Sequence, residues 1–394
     1  MDFTGVYHKA SEQMCYPLNE DELIVNLKTG YDVKRVFIYY GDPFEAGILG
    51  GKEQWAGKKE EICFKKHLRH HLWWTTTLTP RFKRCKYYFE LHTEEETWYY
   101  FENGFLSEEQ IGMEGRMLQC FVMPWMNPAD VNSTPDWVND TVWYQIFPDR
   151  FCEGVENKPM PFADRIYQAD KHAEPFWQPN ETGGHLNEDY FGGDLEGIRI
   201  KLPYLREMGV DYLYLNPIFE AHSNHRYNTA DYLNVDPLLG TNEEFEVLCR
   251  EAAKYGIGIV LDGVFSHTGS DSRYFNREGR YGEGGAYRDP NSPYRSWYDF
   301  DPKYKGGYRS WWGFETLPEV NEETPSFVEF ITGEGGVIDT WLRRGAAGFR
   351  LDVADELPDA FIEKIRTAVK RVSPEKFLLG EVWEDATTKF GFDH

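Results

Sequence analysis

The feature that most constrains the fold of this 394-residue chain is a repeat that begins near residue 141. A short apolar run, typical of a buried strand, ends in polar or charged residues, and helical patterns precede several of these runs. This alternation is typical of parallel βα units. Because polar residues follow each strand, they lie at the carboxyl-terminal mouth of the sheet, where a (β/α) barrel holds its chemistry. The predicted strands are 142–147, 210–215, 257–265, 349–353 and 377–379, and the predicted helices are 195–208, 242–255 and 358–372.

The first part of the chain has a different pattern. Residues 1 to about 110 contain short β-rich runs with turn signals between them, which predict an antiparallel β-sandwich. Residues 111–140 contain several prolines and predict a linker. The barrel is expected over 141–394, with a Gly-rich and aromatic insertion at about 268–326 after the third strand.

Charge and composition exclude several classes of protein. The formal net charge of −24 argues against a nucleic-acid binder or an anionic-membrane binder. No apolar run approaches the length of a transmembrane helix, and the N-terminus lacks the basic and apolar segments of a secretory signal. The six cysteines form no CxxC pair, so we expect reduced, mostly buried thiols in a cytoplasmic protein.

Aromatic residues make up 16% of the chain, and composition alone does not separate their two explanations. A large core accounts for many of them, and platforms that stack on sugar rings are the functional alternative. Trp55, Trp73 and Trp74 are therefore candidates for glucan or partner contacts as well as for the core.

The segment 348–354 (GFRLDVA) places Arg350 and Asp352 on one face of a strand, because side chains repeat every two residues. An arginine beside a carboxylate orients it and keeps it ionised, which is what a carboxylate nucleophile needs. A structural ion pair at the mouth of a barrel is the alternative.

The segment 380–383 (GEVW) ends the next predicted strand with Glu381 beside Trp383. A carboxyl group near an apolar ring has a raised pKa, which suits a general acid, and a helix-capping glutamate is the alternative. Carboxyl groups on adjacent strand ends can stand about 5 Å apart, the separation found in retaining glycosidases.

Two further segments carry polar residues after strands. In 262–267 (DGVFSH), Asp262 and His267 leave the third strand together, and His267 can donate to a substrate hydroxyl. A metal site is less favoured, because no second histidine lies at ligand spacing. In 223–232 (SNHRYNTADY), His225 and Tyr227 can flank a sugar. Each of them alone is more typical of a loop residue than of a ligand contact.

Together these four segments resemble the alpha-amylase family, glycoside hydrolase family 13, in order and in position at the strand ends. The similarity is greatest to its neopullulanase, cyclomaltodextrinase, maltogenic amylase and amylopullulanase branch. The segments 143–151 (WYQIFPDRF), 191–195 (FGGDL) and 317–321 (LPEVN) support it. The resemblance implies a TIM barrel with its first five strands present, a starch-binding-like N-terminal sandwich and an inserted B domain.

The resemblance also implies roles for single residues. Asp352 matches the nucleophile, Glu381 the general acid/base and Arg350 the residue that holds the nucleophile ionised. Asp262 matches a largely structural aspartate, and Trp383 resembles an aromatic residue on the acceptor side. Three side chains match contacts to the glucose unit at the cleaved bond: His267, His225 and Tyr227.

Calcium is the one cofactor implied, and we expect no organic cofactor. Gly192 and Asp194 match part of a calcium site, although the preceding segment 152–158 lacks the usual Asn and Asp pattern. Elsewhere Ser266 stands where the family usually has Asn, and Asp355 and Glu384 replace a common Asn and His. These changes are expected to tune the acceptor side.

The sequence ends after the fifth predicted strand, before the family's third essential carboxylate, so we expect an incomplete barrel that is inactive or severely impaired. The function expected is a retaining α-glucan hydrolase that cleaves α-1,4 or α-1,6 bonds of cyclodextrins, pullulan and maltodextrins. The alternatives are an inactive fragment that only binds glucan and a relative such as an oligo-1,6-glucosidase or a branching enzyme. The expected partners are α-glucan oligosaccharides and a second copy bound through the N-terminal domain, with no nucleic acid and no membrane.

Overall fold

The computed structural model describes residues 1–44, 57–114, 118–128, 131, 134–156, 158, 160–179 and 187–383. The chain divides into two compact units, of which the first ends at Thr134 and the second begins at Pro135. In the part of the chain that is described, every helix is too short or too polar to cross a bilayer. All six cysteines lie in this part, and none of them forms a disulfide there.

The first unit consists of two antiparallel sheets, with strand orders β1-β2-β6-β5 and β4-β3-β7-β8-β9, and β10 also pairs with β7. Apolar side chains of both sheets form one buried cluster, which confirms the predicted sandwich. The elements are β1 Cys15–Pro17, β2 Leu23–Thr29, β3 Arg35–Gly41, β4 Lys58–Glu61, β5 Phe64–His67, β6 Leu72–Leu78, β7 Cys85–His92, β8 Thr97–Phe101, β9 Gly104–Leu106, α1 Glu108–Glu114 and β10 Phe121–Met123.

One detail of this unit differs from the prediction, and one open alternative is decided. Strand β10 lies inside the segment 111–140, which we predicted as a linker, and a three-residue strand among prolines gives little periodic signal. Trp74 belongs to the core, because its side chain is buried and its indole N–H donates to Thr29 Oγ1 (2.9 Å). Trp73 is half-buried on the same strand, and Trp55 lies outside the described residues.

The second unit contains a parallel sheet of five strands in the order β11-β14-β17-β18-β19, which confirms the five predicted strands of the barrel. Its elements are β11 Trp143–Ile146, α2 Pro148–Phe151, β12 Ile166–Tyr167, β13 Asp189–Tyr190, α3 Leu195–Ile200, α4 Leu202–Glu207, β14 Tyr212–Leu215, β15 Phe219–Ala221, β16 Thr229–Val235, α5 Asn242–Lys254, β17 Gly258–Gly263, α6 Pro325–Thr332, α7 Val337–Arg343, β18 Gly348–Leu351, α8 Asp359–Val372 and β19 Phe377–Gly380.

The helices differ from the prediction in two places. The predicted helix 195–208 is two helices, α3 and α4, which meet at Lys201, because Pro203 lacks an N–H and is tolerated only in the first turn of a helix. Helices α6 and α7 were not predicted. By contrast α5 begins at Asn242 as predicted, and a capping box stabilises this end, since Thr241 and Glu244 bind each other's backbone N–H groups.

The two faces of the parallel sheet carry different side chains. Leu261, Phe349 and Leu351 pack in the apolar cluster that includes helices α5 to α8. The alternating positions, among them Asp262 and Arg350, therefore lie on the opposite face. The buried helix-facing side provides the stability, and the opposite face is available for polar chemistry.

The long segment between β17 and α6 leaves the sheet and returns to the point where it left. The N–H of Val320 donates to the carbonyl of Ser266 (2.9 Å), and the N–H of Thr268 donates to the carbonyl of Pro318 (3.1 Å). His267 lies between these two bonds, in a single bridge with Glu319. The segment 317–321 thus closes the insertion against the end of β17.

Candidate active site

The strand register brings acidic residues together at the carboxyl ends of three adjacent strands. Asp262 of β17 is the register partner of Arg350 of β18. Asp352 follows β18 by one residue, so it lies on the same face as Arg350. Beyond β19, the N–H of Glu381 donates to the carbonyl of Leu351 (3.0 Å) and continues the pairing. Sequence positions far apart in the chain therefore meet at one edge.

The guanidinium of Arg350 contacts three carboxylates at once. Its Nη1 lies 2.7 Å from an oxygen of Asp262 and 2.7 Å from an oxygen of Asp352, and its Nη2 lies 2.6 Å from Glu381 Oε2. The side chains of Arg350, Asp262 and Asp352 are buried, and that of Glu381 is 31% exposed. One positive charge is thus shared among three acidic groups in a largely buried place.

The Asp352 carboxyl group has a raised pKa of about 7. Burial is the main cause, and the nearby Asp262 carboxylate adds to it, whereas the Arg350 ion pair lowers the pKa by less than these two raise it. The sequence analysis expected Arg350 to keep this carboxylate ionised. Burial of Asp352 and the nearby Asp262 carboxylate outweigh this effect of Arg350 on the pKa.

Asp262 is enclosed by donors. Tyr214 Oη donates to Asp262 Oδ2 (2.5 Å), and Tyr227 Oη donates to the same oxygen (3.0 Å). With Arg350 on the other oxygen, both oxygens of this buried carboxylate have partners, which fits a structural role. Tyr214 was not among the predicted site residues, although its place two residues before Asn216 on a strand end could have indicated it.

Tyr227 and His225 lie in the connection of the hairpin β15–β16. The hydroxyl of Tyr227 already accepts from Asn216 Nδ2 (2.9 Å) while it donates to Asp262, so its ring is the part left for a ligand. The N–H of Tyr227 donates to His225 Nδ1 (3.1 Å). Burial lowers the pKa of His225 to about 4, so the ring is neutral and its proton is on Nε2. His225 is therefore a hydrogen-bond donor through Nε2.

His267 is buried at the end of β17. Its Nδ1 lies 3.0 Å from Ser266 Oγ. Ser266, which stands where the family usually has Asn, therefore forms a hydrogen bond with the His267 ring. Burial lowers its pKa to about 4. Its Nε2 has no hydrogen-bond partner among the described residues, although it is buried. A buried nitrogen of this kind is suited to a ligand hydroxyl.

Glu381 has a second contact besides Arg350. The N–H of Val353 donates to Glu381 Oε2 (3.0 Å). Val353 adopts φ +40° and ψ +49°, a left-handed conformation that is strained for a β-branched residue. This conformation directs the backbone N–H of Val353 toward the Glu381 carboxylate. Strained residues of this kind cluster at functional sites.

Trp383 belongs to a group of exposed rings next to these carboxylates. Its ring is 5.5 Å from that of Trp312 at a steep angle, and 53% and 66% of the two residues are exposed. The indole N–H groups of Trp311 and Trp312 both donate to Glu356, at 2.8 and 2.9 Å. Glu356 was missed by the sequence analysis, because nothing in its spacing links it to residue 311.

Gly192 and Asp194 lie before α3, and their contacts are with the segment that follows α2. Asp194 Oδ1 accepts from the N–H groups of Gly154 (3.0 Å) and Gly197 (2.6 Å), and Oδ2 accepts from Val155 (3.0 Å). The ammonium of Lys158 also binds Asp194 Oδ2. Calcium requires oxygen atoms with free lone pairs, so the donors around this carboxylate do not fit the implied calcium ion.

The raised pKa of Asp352 has a consequence for stability that one substitution tests. The unfolded carboxyl group has a pKa of about 3.9. The stability that the protonated carboxyl group contributes to the folded chain is therefore lost as the pH rises from about 4 through about 7. Asp352→Asn keeps an uncharged group at all pH values. Its Tm advantage over the unsubstituted chain is therefore expected to grow by several degrees between these pH values, as measured by scanning calorimetry.

Asp359→Asn, at an exposed carboxylate of the same unit, serves as the control and is expected to show no such growth. A Tm difference between Asp352→Asn and the unsubstituted chain that stays constant from acidic to neutral pH contradicts the raised pKa of Asp352.

The sequence matches the alpha amylase catalytic domain over residues 145–391 and the alpha amylase N-terminal Ig-like domain over residues 1–126. A maltogenic alpha-amylase of Bacillus acidopullulyticus is 32% identical over 395 residues, which cover 97% of this chain and 61% of the relative. An amylopullulanase of Thermoanaerobacterium saccharolyticum is 38% identical over 337 residues, covering 77% of this chain and 26% of the relative.

Solved structures agree with these matches. A cyclomaltodextrinase superposes with a TM-score of 0.79 at 28% identity, covering 98% of this chain and 62% of that one. The chain thus spans about three fifths of the length of such relatives, 61% for the maltogenic amylase. Because the catalytic-domain match alone covers more than half of the sequence, the predicted resemblance is confirmed and the chain belongs to the alpha-amylase family.

Proposed function

We propose that this chain carries the catalytic machinery of a retaining α-glucan hydrolase. The observation that carries the proposal is the contact of one guanidinium, Arg350, with both Asp352 and Glu381. Retaining glycosidases hold their two carboxyl groups about 5–5.5 Å apart, and inverting ones about 6.5–9.5 Å apart. Two carboxylates bound by the two terminal nitrogens of one guanidinium fit the closer arrangement better.

In the proposed reaction Glu381 donates a proton to the glycosidic oxygen while Asp352 attacks the anomeric carbon. The bond to the leaving glucan breaks, and a glucosyl ester forms on Asp352. Glu381, now ionised, takes a proton from water, whose oxygen attacks the same carbon and frees the carboxylate. The His225 and His267 imidazoles, both neutral, are suited to donate from Nε2 to glucose hydroxyls, and the Tyr227 ring to stack on the sugar face.

We propose α-1,4 bonds of cyclodextrins, pullulan and maltodextrins as the substrates, with α-1,6 bonds as the alternative. The names of similar proteins support this range, since they include a cyclomaltodextrinase, a neopullulanase and amylopullulanases. The exposed Trp312 and Trp383 rings supply the kind of surface on which pyranose rings stack.

The first prediction of this proposal concerns activity. Because Asp352 and Glu381 both contact Arg350, the purified chain is expected to release measurable reducing sugar from β-cyclodextrin and pullulan, at the severely impaired rate expected from the sequence. Asp352→Asn is expected to lower kcat at least ~10³-fold, because it removes the nucleophile. Glu381→Gln is expected to lower kcat by about 10²–10⁴-fold, as loss of an acid/base does. Asp359→Asn is the matched control and should keep the activity.

Chromatography of the pullulan products decides the bond specificity. Panose indicates α-1,4 cleavage and maltotriose indicates α-1,6 cleavage. Glucan binding without turnover, in the chain and in Asp352→Asn alike, would contradict the proposal and favour a binding protein.

The second prediction concerns pH. Asp352 attacks only when ionised, and its pKa is about 7. The value of kcat/KM is therefore expected to fall about tenfold for each pH unit below that pKa, since this ratio reports the free enzyme. A pH–rate profile with an uncharged maltooligosaccharide substrate measures it. A profile that stays flat to about pH 5 would show that burial does not raise the pKa of Asp352 and would contradict the prediction.

We further propose a cytoplasmic protein that degrades starch-derived oligosaccharides as a homodimer formed through the first unit, without nucleic-acid or membrane partners. The net charge of −24 supports the exclusion of polyanions. A similar protein from Bacillus subtilis is named an intracellular maltogenic amylase, which supports the location. Light scattering is expected to give twice the chain mass of 46.2 kDa, and deletion of residues 1–134 is expected to give a monomer. A monomeric intact chain would contradict the dimer.

A further inference from the structure

A buried lysine occupies the place that the family resemblance assigns to calcium. The ammonium of Lys158 donates to the carbonyl of Gly192 (2.6 Å) and contacts Asp194 Oδ2. Only 9% of the Lys158 side chain and 1% of the Asp194 side chain are exposed. The two residues that the resemblance assigns to calcium, Gly192 and Asp194, are therefore both bound by one nitrogen.

The other lone pairs around Asp194 are also in use. Its Oδ1 accepts from Gly154 and Gly197, and its Oδ2 accepts from Val155 as well as from Lys158. A calcium ion takes six to eight oxygen ligands at about 2.3–2.6 Å. To reach this carboxylate it would have to displace Lys158 and leave a buried ammonium without its partner, which is strongly unfavourable.

A second lysine, Lys171, makes the same kind of contact with the carbonyl of the preceding residue, Phe191. Lys171 Nζ donates to the carbonyl of Phe191 (2.7 Å) and pairs with Glu153 (3.1 Å). Two consecutive carbonyls, those of Phe191 and Gly192, thus each accept from an ammonium. Cationic side chains from outside the 191–194 turn supply positive charge along it.

We propose that Lys158 is the built-in cation of this turn, and that it ties the segment after α2 to the start of α3 without Ca²⁺. The proposal does not depend on the proposed hydrolase activity, because it concerns only how the segment is held. Its readouts are the thermal stability of the chain and the binding of calcium.

The test compares the Tm of the 394-residue chain in millimolar CaCl₂ with its Tm in EDTA. The two values are expected to agree, and calorimetric titration with CaCl₂ is expected to show no saturable binding that Asp194→Asn removes. Lys158→Met is expected to lower the Tm of the second unit by several degrees. The matched control, Lys201→Met, removes an exposed lysine of the same unit and should leave the Tm nearly unchanged.

Two outcomes would overturn the proposal. The first is a Tm of the unsubstituted chain that Ca²⁺ raises, or saturable Ca²⁺ binding that Asp194→Asn abolishes. The second is a Lys158→Met variant as stable as Lys201→Met. If Lys158→Met does not fold, the titration of the unsubstituted chain still decides, because it needs no variant at position 158.

Discussion

The contact of Arg350 with three carboxylates is the interaction on which the candidate site depends. Asp262, Asp352 and Glu381 come from three successive strands of the sheet, and each would repel the others without a cation between them. A single guanidinium holds them at hydrogen-bonding distance. Burial raises the pKa of Asp352 to about 7, and the nearby Asp262 carboxylate adds to this effect, because one positive charge does not neutralise three negative ones.

The remaining polar groups of the site add no further charge. His225 and His267 are neutral because they are buried, and Tyr214 and Tyr227 direct their hydroxyl protons to Asp262. A glucan is itself uncharged, so neutral donors can bind its hydroxyl groups without the cost of desolvating an ion. The charge of the site is thus concentrated at Arg350 and the three carboxylates, where the proposed reaction would take place.

The sequence was sufficient for the strands of the sheet and for the residues at their ends, because short apolar runs and the polar residues that follow them are local signals. It was insufficient where the outcome depends on register or on an irregular segment. That Arg350 serves three carboxylates follows from the pairing of β17, β18 and β19, which no single strand encodes. Lys158 and Glu356 contact residues of loops that are distant in the sequence. Loops have no periodic pattern from which their conformation could be predicted.

The closure of the insertion between β17 and α6 has a consequence for how enzymes of this architecture diversify. Its ends are joined by backbone bonds at Ser266 and Thr268, on either side of His267, and these bonds do not depend on which side chains lie between them. The entropic cost of a longer loop grows only slowly with its length. The interior of the insertion can therefore change in size and sequence over evolution while the histidine at its base keeps its position.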